Sequence, residues 1–249
     1  MNKLVFIYTI VFSSLLFTGC QIERNTKHLN SLKGEGAILS KILSIEKFDA
    51  IELNISDDVF IKQGNIQEVR IEGHPNIIEK LKTKISNGTW NIDLEPGSYN
   101  SYELKIFITT PFIHSIKVNG AGDVVLNDFA NLEKLDIQLI GSGDIEFSEL
   151  KDTKNLSIQL IGNGDITGRC EKSLFDKTTI NIEGSGEYYG FFAPSKRIDV
   201  SLTGSGDCEV NAVEELNANL TGSGDIRFKG NAKVTKTISG SGNIEKQSN

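Results

Sequence analysis

Apolar and polar residues alternate along much of the chain, and the alternation is broken at a steady interval by pairs of glycines. Leu135, Ile137 and Leu139 precede one pair, and Ile145 and Phe147 follow it. The same set recurs as Leu156, Ile158, Leu160 and Ile166, as Ile198, Val200, Leu202, Cys208 and Val210, and as Leu216, Ala218, Leu220, Ile226 and Phe228. A period of two sends alternate side chains to opposite faces of an extended strand. Each unit therefore predicts a strand, a turn and a second strand.

The interruptions are themselves a repeat. The pairs are Gly120 and Gly122, Gly141 and Gly143, Gly162 and Gly164, Gly184 and Gly186, Gly204 and Gly206, Gly222 and Gly224, and Gly240 and Gly242. After them stand Asp123, Asp144, Asp165, Glu187, Asp207, Asp225 and Asn243, and the steps are 21, 21, 22, 20, 18 and 18 residues. One unit cannot bury its apolar face alone. Units stacked in register pair strand to strand and close a continuous internal ladder. The pattern predicts an all-β fold, a β-solenoid resembling a parallel β-helix, with two main sheets joined at GxGD turns over residues 119–246. Glycine reaches positive φ at each sharp turn without a Cβ penalty, and the short carboxylate after it can accept turn amides.

Residues 37–118 lack these turns but keep strand-like runs at 50–55, 59–63, 68–72, 89–94 and 103–109, with a helical turn expected within 76–81. They read as irregular opening coils that cover the N-terminal end of the same solenoid. At the other end, residues 238–245 leave a last coil without an evident cap, and an open strand edge invites pairing with a second copy.

Ahead of the fold, Lys3 supplies a positive charge, and residues 4–17 run apolar apart from Thr9, Ser13 and Ser14. That run is too short to span a bilayer, and it ends in small residues before Cys20. It predicts a cleaved signal, residues 1–19, resembling a lipobox with Phe17 where Leu is usual, and a lipidated Cys20. Two or more acyl chains hold a protein stably at a membrane. The polar residues that follow read as a flexible tether, so 20–36 is expected to anchor an exported protein in the bacterial outer membrane.

Charge and cysteine content narrow the partners. The chain carries 26 basic and 33 acidic residues, and loss of Lys3 leaves 25 against 33, a surface that does not attract nucleic acid. Cys170 and Cys208 fall at different places in their units, eight and four residues after the first glycine, so stacking does not bring them together and both are expected as buried free thiols.

The stretches FDAIELNISDDVFIKQG from Phe48 and NGTWNIDLE from Asn87, together with the serial GSGD turns, resemble the DUF2807 family, described as "putative autotransporter adhesin head GIN domain". The likeness covers nearly the whole mature chain. It implies a two-sheet β-solenoid related in shape to pectin lyases and without an assigned catalytic site.

Candidate chemistry is sparse. One acidic residue per coil would stack every ~4.8 Å, yet calcium takes about six to eight oxygens, and a single GxGD every 18 to 22 residues fits turn capping better. No metal or cofactor is expected. His28, His74 and His114 lack a ligand-like spacing. The GxG units open no predicted helix, so they cradle no phosphate, and there is no six-residue period. Outward positions such as Asp136, Gln138, Ser157, Gln159, Asp199, Ser201, Asn217 and Asn219 are short and polar, with no nucleophile beside a base, so no catalytic residue is assigned. The local anomaly is Tyr188, Tyr189, Phe191 and Phe192, all four of which alternation cannot bury. Either a bulged coil packs them on a neighbouring loop, or they form an exposed binding patch. The leading expectation is a non-enzymatic binding or adhesion protein for a surface glycan or protein; a self-assembling envelope protein and a carbohydrate-active enzyme are the alternatives.

Overall fold

A computed structural model of the chain describes residues 31–247; the expected signal, Cys20 and His28 lie outside them. The chain is a β-solenoid of about six turns. Two parallel ladders run along it. Ser115–Gly120, Lys134–Gly141, Asn155–Gly162 and Phe175–Gly184 stack in the first, and Val124–Asn127, Ile145–Phe147 and Ile166–Arg169 in the second. Register is one for one, with Leu135 beside Leu156, then Thr178, Ile198 and Leu216 in successive turns. All the inward residues read from the alternation are buried, and the polar Thr178, in register with them, shares a hydrogen bond with Ser195 inside.

The longer turns carry a short third side, where Phe129–Ala130 pairs with Leu150–Lys151. Later turns lose it and run as the continuous strands Tyr188–Gly204 and Cys208–Gly222, which is why the step shortens. Bulky inward rings are accommodated by glycines: a Cβ on Gly168 would collide with Phe147, and one on Gly190 with Tyr188.

The two glycines of each turn have separate jobs. Only the first takes positive φ, as at Gly141 (+144°) and Gly162 (+126°), and its carbonyl accepts two amides of the next turn, as Gly120 does from Ser142 and Gly143 at 2.8 and 3.1 Å. The second allows close approach, because a Cβ on Gly143 would collide with the Gly122 carbonyl. The carboxylates accept turn amides, and the amides belong to the neighbouring coil. The aspartates bridge to the next coil, with the amides of Asp144, Asp165 and Glu187 donating to Asp123, Asp144 and Asp165 at 2.8 to 2.9 Å. Asp207 and Asp225 likewise accept from Asp225 and Asn243.

The opening segment joins the same ladders out of order. Ala50–Leu53 lies between Ser115–Gly120 and Thr89–Ile92, and Asp58–Gln63 between Val124–Asn127 and Leu104–Thr110, all parallel. Glu68–Gly73 then runs antiparallel on Leu104–Thr110, and Leu39–Leu43 antiparallel on Glu68–Gly73. Trp90 is fully buried, donates to the Lys82 carbonyl at 2.9 Å and packs on Phe48. The helical turn is Pro75–Ile78, which buries Ile77 and Ile78.

The N-terminal boundary differs from the sequence reading. Leu32–Lys33 pairs with Tyr99–Asn100, and Asn76 binds the Glu35 amide and the Lys33 carbonyl, so the end of the expected tether is docked on the solenoid. The last coil, Lys233–Gly240 with Ile244–Lys246, leaves its inward positions open, with Ile238 44% exposed. Lys236 occupies an inward register position, beside Ala218, and its ammonium crosses the open end to the Ile244 carbonyl at 2.7 Å.

Candidate binding face

The outer face of the second ladder is one continuous row of side chains. In register across the strands stand Arg70, Phe107, Phe60, Val125, Glu146, Thr167, Tyr189, Glu209, Arg227 and Glu245. The outer face of the first ladder is a lattice of short polar groups, in which Asp199 binds Lys177 at 2.7 Å and Asn217 at 3.0 Å. Such exposed pairs contribute little stability.

The four aromatics expected as a patch divide. Tyr188 is buried and belongs to the core, a correction to its place in the patch: alternation turns residues 188 and 190 inward, and Gly190 leaves room for the ring. Beyond it one extra residue enters the strand, since Tyr189 pairs with Thr167 but Phe192 with Arg169. This bulge turns Phe192 outward, 51% exposed, beside Tyr189 at 37%. Phe191 lies half-buried under the Lys229 ammonium, 4.5 Å from the ring centre. Together with Thr167, Gly168, Arg169 and Glu209 the three outer rings line a cavity of about 340 Å³. Arg169 is held by Glu146 at 2.7 Å. Hydrogen bonding to Glu187 and burial push the Tyr189 phenol well up, so it stays a donor, and burial raises the Glu209 carboxyl.

The remaining titratable groups are structural in character. Cys170 and Cys208 are free and buried, and burial pushes the Cys170 thiol up to about 12, which removes the thiolate needed for nucleophilic chemistry. No group of three His, Cys, Asp or Glu side chains placed to hold a metal ion occurs among the described residues. His74 accepts the Glu103 amide at 3.0 Å, and His114 stands 3.5 Å from Asp49. Sequence reasoning missed Asp57, whose carboxyl burial pushes up to about 6 and which accepts the Tyr102 hydroxyl at 2.9 Å. Its signal was the ISDD tetrad, which register places beside GAGD of the first repeat turn.

The fold is a β-solenoid with a continuous row of side chains along one outer face. Residues 47–232 match the family described as "Putative auto-transporter adhesin, head GIN domain", and the chain belongs to that family. A "putative adhesin" from Bacteroides fragilis superposes with a TM-score of 0.80 at 21% identity, covering 87% of this chain and 100% of that one. A "putative lipid binding protein" from Parabacteroides distasonis gives 0.73 at 24%, covering 88% and 100%, and a "putative adhesin" from Parabacteroides merdae 0.67 at 18%, covering 88% and 99%. No curated protein sequence matches it. The family suggests an exported, non-enzymatic protein of the cell surface.

Proposed function

We propose that this chain is a lipid-anchored adhesion protein of the outer membrane that binds a surface glycan at Tyr189, Phe191 and Phe192. The bulge carries the reading. A strand that kept strict alternation would point Phe192 back into the core, whereas here it stands exposed beside Tyr189 on a cavity rimmed by Arg169 and Glu209. Aromatic faces pack against the C–H faces of sugar rings, and the flanking guanidinium and carboxylate supply hydrogen bonds to hydroxyls. The family's description as an adhesin agrees with a contact role, and Cys20 supplies the anchor.

The test uses cells producing the full chain. A Tyr189→Ser/Phe192→Ser double variant is expected to lose adhesion to immobilised polysaccharide at least tenfold while the amount of protease-resistant protein is unchanged. Undiminished adhesion rules the patch out, and loss of adhesion to a protein-coated surface alone makes the ligand a protein. Cys20→Ala is expected to abolish labelling by radioactive palmitate and to release the protein from the membrane fraction.

A further inference from the structure

We infer that the glycan does not stop at Tyr189: a neutral polysaccharide chain lies along the second ladder and reaches a further subsite at Phe60 and Phe107. This rests on the reading of Tyr189, Phe191 and Phe192 as a glycan site, which it extends. Phe60 and Phe107 belong to the same outward row as Tyr189, through Val125, Glu146 and Thr167. Their rings stack 5.2 Å apart and 16° from parallel, and the Arg70 guanidinium lies 4.0 Å from the Phe107 ring centre. With Lys62, Glu68 and Asn127 they line a cavity of about 290 Å³.

The two cavities repeat one chemistry. Each sets aromatic rings beside an arginine that a glutamate already neutralises, Arg70 by Glu72 and Arg169 by Glu146. Lys62 offsets Glu68 on the first cavity, and Lys229, over the Phe191 ring, offsets Glu209 on the second. Such groups keep donors and acceptors for hydroxyls, but they present no net positive charge to draw in a polyanion. The balance selects uncharged sugars over uronates.

The spacing suits one continuous chain. The first cavity ends at Asn127 and the second begins at Thr167, so a single strand, Ile145–Phe147, separates them, with Glu146 on its outer face. Phe60 and Tyr189 stand four strand steps apart, ~19 Å along the axis. A sugar unit in an extended glycan advances by about one such step, so a chain of about six units reaches both platforms. A peptide is poorly served by this face. The strands from Leu104–Thr110 to Ile166–Arg169 are paired on both sides, which leaves no free backbone edge for strand addition. Sugar rings need only stacking faces and partners for their hydroxyls.

The probe is an array of neutral and uronate-containing oligosaccharides, graded from disaccharides to octasaccharides and read with the labelled full chain. Binding to a neutral series is expected to rise at least tenfold from trisaccharide to octasaccharide, because engaging two subsites makes the second contact intramolecular. Phe60→Thr/Phe107→Thr should remove that rise, and Phe60→Tyr/Phe107→Tyr, which keeps the ring faces, should retain it. Arg70→Gln leaves the stacked pair intact, so it reads the subsite even where the threonine pair loses protease-resistant protein; it should lower octasaccharide binding at least threefold. Binding that does not grow with length, growth that survives in a folded threonine pair, octasaccharide binding unmoved by Arg70→Gln, or a stronger signal on uronate glycans overturns the inference and leaves the Tyr189 site standing. A wild type that binds no glycan, or a Tyr189→Ser/Phe192→Ser variant that binds as the wild type does, overturns the Tyr189 reading and this inference with it.

Discussion

The repeat region and the opening segment build the same two ladders by different means. From Ser115 onward each strand lies on the one a single turn earlier, and the turns are held by columns of glycine carbonyls and carboxylates. Before it, the first coil is sandwiched between the third and the second, and its turn reads Ser56-Asp57-Asp58 without glycine. The difference teaches where glycine is compulsory. The first coil's neighbour at 89–110 makes a long excursion between its strands, so no carbonyl column crowds that turn and side chains are tolerated.

The sharpest way to break the comparison is to add one methyl group at two equivalent turns. Gly120 and Gly141 share positive φ, at +123° and +144°. A Cβ on Gly120 meets nothing within 4 Å, whereas one on Gly141 collides with the Gly120 carbonyl. Gly120→Ala should cost about 1–3 kcal/mol from backbone strain alone. Gly141→Ala should cost at least about 2 kcal/mol more, since carbonyl and methyl cannot both keep their places. Urea denaturation of the two variants checks this, and equal losses would show that φ, not stacking distance, sets the requirement.

This contrast also explains what could be read in advance. The repeats were legible because one period of 18 to 22 residues states both the strand pattern and its stacking partner, down to Leu135 over Leu156. The order of the opening coils was not, because Ala50–Leu53 finds its partners at 89–92 and 115–118 by long-range packing that no local pattern marks. The place of Lys236 was hidden for a similar reason: a lysine in an inward column looks like an error until the column is seen to end there. Of the aromatic cluster, alternation shows that some rings must face out, but the split of Tyr188 from Phe192 depends on a one-residue bulge.

A smaller effect separates the regions by pH. Asp57 belongs to the glycine-free turn, and burial, reinforced by the charge of Asp58 and opposed by the Tyr102 hydroxyl, pushes its carboxyl up to about 6. The folded chain therefore holds that proton more tightly than the unfolded one, whose carboxyl titrates near ~3.9. Between those values stability falls as pH rises, by about 1–2 kcal/mol after allowance for partial exposure. Asp57→Asn should flatten the slope between about pH 4 and 6 in thermal melts. An unchanged slope would assign the dependence to another carboxyl, such as Asp165, whose own shift runs upward through burial and the neighbouring Asp144 and Glu187.

The finest distinction lies within the repeats, at the coil that carries the aromatic patch. The carboxylate column accepts an amide at Asp123, Asp144, Asp165, Asp207 and Asp225, but no bond joins the Glu187 side chain to the Asp207 amide. Glutamate is one methylene too long for the geometry its neighbours use, and its carboxylate instead raises the Tyr189 phenol. Glu187→Asp should restore the missing rung and stabilise the solenoid by about 0.5–1 kcal/mol, the worth of one net hydrogen bond. It should also slow exchange of the Asp207 amide. The same change withdraws the acceptor from Tyr189, so the phenol should titrate closer to its ordinary value and glycan binding should weaken. A variant that gains stability and loses binding would show that this turn gives up a rung of the ladder to position the patch. Unchanged exchange at Asp207 would mean that the column tolerates a gap there for no structural cost, and that Glu187 is held by Tyr189 alone.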